Sequence, residues 1–229
     1  VITSEGKPVY PTFLAIKLAF NPSTKFGHHF ASMPTTLTKD VAHETKDDLR
    51  DAFASLIGVD AGVFTDTPPS MAHALRLFLP ATDGGVGFTD PVTDRIAAYV
   101  ANFINCLPAL MENDIVGPHV KDTKAWPQGP SQALRDAGVH IRQLAAIVRA
   151  ETEHAQKTEP TTEVGRAIVA ATARHDTIEL QPLANVAHKH QQRAVSRYLY
   201  PHITRISQER HPWDDNVVIA HTASIGRGA

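Results

Sequence analysis

Leu79-Pro80-Ala81-Thr82-Asp83-Gly84-Gly85-Val86-Gly87-Phe88, with Asp90-Pro91 close behind, is the stretch on which the architecture of this chain turns. Three glycines in four positions allow positive φ, or a close pass of the backbone against another segment. Leu79, Val86 and Phe88 supply apolar anchors on either side. The expected result is a rigid, buried corner. Asp90 is placed to cap a helix whose first turn holds Pro91, where a missing N–H costs nothing. Ser70 is placed to cap the preceding helix, residues 71–79. Helix, glycine corner and capped helix then read as one unit.

Outward from this unit the apolar spacing stays helical. Leu37, Val41, Leu49, Phe53, Leu56 and Ile57 predict a helix that Gly58 stops. A short apolar helix is expected over residues 12–20, ending at Asn21-Pro22, and a helix or turn follows to about Pro34. The helix after the corner is expected over residues 91–107. Pro108, Pro118, Pro127 and Pro130, with Gly117 and Gly129, make residues 108–130 the least regular stretch. Beyond it, Leu134, Ile141, Leu144 and Val148 mark a long helix that ends near Gln156. Thr161 or Thr162 caps a second, and residues 186–206 form a third, with Pro201 as a kink or break. No strand alternation is visible. The reading is all-α, an irregular bundle of one or two helical subdomains: residues 1–110, a Pro/Gly-rich linker at 111–130, and residues 131–229.

Bulk properties exclude several classes. A chain of 229 residues with 42% hydrophobic and 20% charged residues and a net charge of −2 is globular, neither disordered nor strongly basic. The longest early apolar run, Phe13 to Phe20, carries Lys17 and is too short to cross a bilayer, so no membrane role is expected. The single cysteine, Cys106, excludes an internal disulfide. It lies in an apolar helical run, where a buried structural thiol and an intracellular setting are expected. Opening on Val1 and closing on Gly226-Arg227-Gly228-Ala229, the sequence reads as a portion of a longer polypeptide.

The order of these segments resembles the region after the palm in non-LTR retrotransposon reverse transcriptases. There a helix leads into Leu-Pro-x-x-x-x-Gly-Gly-x-Gly and then a helix rich in Ala, Tyr and aliphatic residues, as with Ala97-Ala98-Tyr99 here. Leu18-Ala19-Phe20-Asn21-Pro22-Ser23-Thr24-Lys25-Phe26 is similar to the family's exit from palm to thumb. Asp48 to Gly58 is similar to its Leu-x-x-Leu-Leu-Gly helix, and His188 to Ser196 to its basic Leu-Gln-(Arg)-x-Leu-Ser helix. Ala223 to Ala229 resembles its Ser-x-Gly-x-Gly-Ala turn. The family's arginine before a Pro-Pro pair is missing at His28 to Pro34. The resemblance implies a thumb-like helical region that grips template-primer, RNA or an RNA/DNA duplex, without the catalytic palm.

The residues themselves argue against chemistry in this chain. Reverse transcription uses metal-holding carboxylates on a Tyr/Phe-x-Asp-Asp strand turn, and no such segment occurs. Asp47-Asp48 falls within a helix, and Asp214-Asp215 reads as a helix start. The thirteen histidines raise the question of a metal, but His188 and His190 at i and i+2 point apart on a helix. No metal and no cofactor are expected. Nor is there a nucleophile elbow or a phosphate-binding loop.

One electrostatic lead remains. Lys189, Arg193 and Arg197 recur at i+4, and Arg205 continues the row two turns on. Residues 183–211 hold five Lys/Arg against Glu209 alone. Such a stripe suits a phosphate backbone. The bland reading is a solvated basic face balanced by acidic neighbours such as Asp176 or Glu179. The expected contact residues are Lys189, Arg193, Arg197 and Arg205, with Lys25 a weaker candidate. The alternative function is a helical structural or interaction subunit with protein partners in a larger assembly.

Overall fold

The computed structural model describes residues 13–16, 27–65, 71–79, 85–187 and 191–210. The described residues are all-helical. They form α1 (Gly27–Ser32), α2 (Thr35–Ile57), α3 (Met71–Phe78), α4 (Pro91–Glu112), α5 (Gly117–Lys121), α6 (Gln132–His154), α7 (Glu163–Ala171), α8 (Leu180–Ala184) and α9 (Gln191–Arg210). Short 3-10 turns occur at Ala61–Phe64 and Trp126–Gln128. Residues 13–16 are also helical. No described helix is long and apolar enough to cross a membrane.

The chain divides into two compact units. The first comprises residues 1–25, 41–91 and 203–229, the second residues 26–40 and 92–202. The core of the first unit gathers Leu49, Ala54, Phe64, Ala74, Leu77, Phe78 and Phe88. Phe53 holds its aromatic part together, lying edge-on to Phe64 and to Phe88, each with ring centroids 5.7 Å away. Such pairs contribute about 0.5–1.5 kcal/mol beyond the area they bury. Lys46 lies over the Phe78 ring at 5.1 Å and pairs with Asp90 at 3.5 Å, so its aliphatic stem shields the core while its charge is matched.

The glycine corner closes the end of α3. The last carbonyls of a helix have no partner within it. Here Val86 N–H donates to Arg76 O (2.8 Å), Phe88 N–H to Leu77 O (3.0 Å) and Gly87 N–H to Leu79 O (2.9 Å). Leu79 and Phe88 are buried, as expected of the anchors. Gly84 lies outside the described residues.

The core of the second unit gathers Val100, Phe103, Ile104 and Leu107 from α4 with Ile141, Leu144 and Ala145 from α6. Val164, Ile168, Leu183, Val195 and Leu199 join them. Three details depart from the sequence reading. Helix α4 runs through Pro108 to Glu112 rather than ending before it, because Leu107, Leu110 and Met111 continue the face that packs on the core. Cys106 is exposed, not buried. It shares a side of α4 with Asn102, whose Oδ1 is 3.9 Å from Cys106 Sγ, turned away from the stripe of Phe103, Ile104 and Leu107. Residues 111–130, expected as a linker, carry α5 and a 3-10 turn and put Val120 and Trp126 into this core. Trp126 is 2% exposed, and its Nε1 donates to Val120 O (3.1 Å) and His119 O (3.2 Å).

A buried polar clamp fixes where α2 begins. The Asp136 carboxylate, reaching from α6, accepts from Thr36 N (2.8 Å), Thr36 Oγ1 (2.8 Å), Thr35 Oγ1 (3.1 Å) and Gln132 Nε2 (2.6 Å). It does from a distant helix what an N-cap side chain does locally, and places a negative charge at the positive end of the helix dipole. Arg95 donates to Thr35 O from α4. His140 Nε2 stands 2.6 Å from Thr35 Oγ1, and the Gln143 side-chain amide is 2.9 Å from its Nδ1.

This clamp makes the second unit acid-sensitive. Burial lowers the His140 pKa, outweighing the help from Gln143 and Asp136. Burial alone would raise that of Asp136, but the hydrogen bonds from Thr36, Gln132 and Thr35 win and lower it. Both groups therefore resist protonation in the fold more than in the unfolded chain. Their contribution is complete above the unfolded values of about 6.5 for His and 3.9 for Asp, and is lost as pH falls through the lower folded values. Urea midpoints are expected to drop from pH 7.5 to 5.5 and again to 3.5. His140→Gln should flatten the first drop, and an unchanged slope in that variant would contradict the assignment.

Candidate nucleic-acid interface

The start of α7 is built by the residues the sequence singled out for capping. Thr162 holds extended backbone angles (φ −111°, ψ 149°), and its hydroxyl accepts from Gly165 N–H at 3.0 Å. Glu163 occupies the first turn, where its charge complements the helix dipole. Tyr198 reaches in from α9, its hydroxyl oxygen accepting from Thr162 N–H (3.1 Å) and lying 3.3 Å from Thr161 Oγ1 and Thr162 Oγ1. Burial pushes the Tyr198 pKa up, but these hydrogen bonds outweigh it and lower the pKa overall. Gly165 is required here: a β-carbon on it would stand 2.6 Å from the Tyr198 oxygen.

Arg193 and Arg197 lie one turn apart on α9, both exposed, and both line one cleft of about 490 Å³ with Thr161, Thr162, Glu163 and Val164. Two guanidinium groups thus face a single carboxylate, beside two hydroxyls and the first N–H groups of a helix. Planar forks with five donors each, next to a helix start, are the functional groups that hold phosphate oxygens. The acidic neighbours expected to neutralise the stripe are engaged elsewhere. Asp176 pairs with Lys124 at 3.2 Å and Glu179 with Arg174 at 3.4 Å.

Arg205 is half-buried and belongs to the first unit. Lys189 and Lys25 lie outside the described residues, as do His188, His190 and Asp214. Among the described residues no group of three or more His, Cys, Asp or Glu is arranged to hold a metal ion.

Two further clefts were not foreseen. An apolar cavity of about 540 Å³ is walled by Phe103, Leu110, Val116, Val120, Trp126 and Leu134, among others. A second cleft gathers Arg142, Arg149 and Arg174 at the other end of α7. Sequence spacing offered a signal only for Arg142 and Arg149, seven apart on α6. Arg174 arrives through the chain's return after α7. The Thr35, His140 and Asp136 cluster is not a nucleophilic triad, because Asp136 takes the threonine's own hydrogen instead of orienting the histidine.

Compared with known protein families, with curated proteins and with solved structures, the chain has no match.

Proposed function

We propose that this chain is a non-catalytic helical part of a retroelement-type reverse transcriptase, or of a host protein derived from one, and that it contributes to holding RNA or an RNA/DNA template-primer. What carries the reading is the joint presence of Arg193 and Arg197 in one cleft with the hydroxyls and N–H groups that begin α7. The collinear resemblance of the glycine corner and flanking helices to the thumb region supports it, as does the lack of a Tyr/Phe-x-Asp-Asp segment in a chain that is otherwise well packed. The net charge of −2 confines the role to a local patch.

The test is binding to a short RNA and to an RNA/DNA duplex at two salt concentrations. Binding is expected to weaken with salt, and the Arg193→Ala, Arg197→Ala double variant is expected to reduce the log–log salt slope by about 1.4–1.8, the share of two phosphate contacts. No binding by the native chain even at low salt would sink the nucleic-acid role.

The alternative is a helical interaction subunit of a larger assembly. The apolar cavity beside Trp126 supports it, since a site of that size and lining suits an apolar side chain of another protein. That reading gains if nucleic acid does not bind and the chain co-purifies in a defined complex that Leu134→Asp dissolves.

A further inference from the structure

The far end of α7 holds a second concentration of cations. Arg142 and Arg149 project from α6 two turns apart, which places them on one side of that helix. Arg174 and His175 come from the turn after α7, and Pro127 closes the opposite edge. Together they line a cleft of about 460 Å³. Arg142 is half-buried, yet its guanidinium has no hydrogen bond or ion pair with any described residue. It lies over Gly138, 3.6 Å from where a β-carbon would stand, so the absence of a side chain there gives the head room.

Arg149 uses Nη2 to cap the end of α7, donating to Val169 O (3.3 Å), Thr172 O (3.2 Å) and Thr172 Oγ1 (3.0 Å). Its other nitrogens make no such contact among the described residues. Asp176, the carboxylate in the lining, is paired with Lys124, and Arg174 with Glu179. Counting His175 as neutral, the lining carries three positive charges against one negative. The Arg142 guanidinium thus keeps its donors open to the cleft, where a bound anion would accept from them.

We propose that the cleft of Arg142, Arg149 and Arg174 is a phosphate-binding site, separate from that of Arg193 and Arg197 and sized for a phosphoryl group with an attached nucleoside. The inference stands whether or not the Arg193 and Arg197 cleft holds nucleic acid. Arg142 is the principal ligand and Arg149 the second.

The experiment titrates the full chain at low salt with inorganic phosphate, with adenosine monophosphate and with an eight-nucleotide RNA, following the ring protons of His175 by NMR. All three probes are expected to shift these protons. Arg142→Gln, which removes no hydrogen bond or ion pair with a described residue, should weaken phosphate binding at least tenfold with little change in melting temperature. The Arg193→Ala, Arg197→Ala variant should leave the His175 shift intact, which separates failure of this site from failure of the other. A mononucleotide binding as tightly as the RNA would uphold the site as one for a free nucleotide. An RNA preference of tenfold or more would uphold it as a strand contact. No shift with any probe, or an Arg142→Gln chain that binds phosphate as well as the native one, would overturn the proposal.

Discussion

Gly85→Val is expected to unfold the first unit. A β-carbon at Gly85 would collide with the carbonyl oxygen and the Cβ of Leu79, and the nearest obstacle is backbone that cannot rotate aside. Leu79 is itself held: its carbonyl accepts from Gly87 N–H, and its side chain is buried. Making room means breaking the three hydrogen bonds that tie the corner to α3, exposing Leu79 and withdrawing Phe88 from the aromatic cluster. Overpacking alone costs about 1–3 kcal/mol, and loss of one large buried side chain adds about 2–5 kcal/mol, a large share of a typical domain stability of 5–15 kcal/mol. Gly87 matters for a different reason. Its φ of +83° is strained for other residues, so Gly87→Ala should cost more than about 0.4–1 kcal/mol but leave the unit folded. Circular dichroism melts and urea midpoints of both variants check the contrast. A Gly85→Val protein as stable as the native chain would refute the account of the corner.

Trp126→Ala is expected to be the most damaging single truncation in the second unit. The indole is almost fully buried, packs edge-on against Phe103 with centroids 5.7 Å apart, and satisfies two carbonyls at the end of α5. Removing it leaves a large cavity next to one that already exists and strips the Val120 and His119 carbonyls of a donor. The expected loss is about 3–5 kcal/mol, against about 1–2 kcal/mol for Trp126→Phe, which keeps most of the packing and loses the N–H. Urea unfolding of the two variants gives the comparison. A loss below about 1 kcal/mol for Trp126→Ala would mean that the region from residue 111 to 130 is not part of the core.

Which elements were legible follows from what each depends on. The helices over residues 35–57, 71–78, 132–154 and 163–171 were readable because their apolar residues repeat at helical spacing and their ends carry local signals. Gly58 sits at φ +73° after α2 and Thr162 caps α7, as read from the sequence, while the Ser131 cap of α6 came from the structure. Pro108 misled because a proline's local cost was weighed without the burial of Leu107 and Met111 around it. The stretch 111–130 misled because proline and glycine density says where a chain turns, not whether the turn is buried. Cys106 was misplaced because an apolar neighbourhood in sequence does not say which side of the helix a residue occupies.

The candidate interface divides the same way. Arg193 and Arg197 were visible as an i, i+4 pair on a basic helix, since that relation lies within one element. Their juxtaposition with Thr162 and the start of α7 was not, and neither was the gathering of Arg174 with Arg142 and Arg149.

The sequence by itself determined the all-α class, the helix ends that rest on local capping, and the need for glycine at a tight corner, because these follow from backbone sterics and from side chains a few residues apart. Only the tertiary structure decided that Asp136 caps a helix a hundred residues away, that Trp126 is core, and that two sets of arginines line clefts at opposite ends of α7. Those outcomes depend on which helix faces meet. The cost of burying an unpaired polar group or charge, not local spacing, selects the partners.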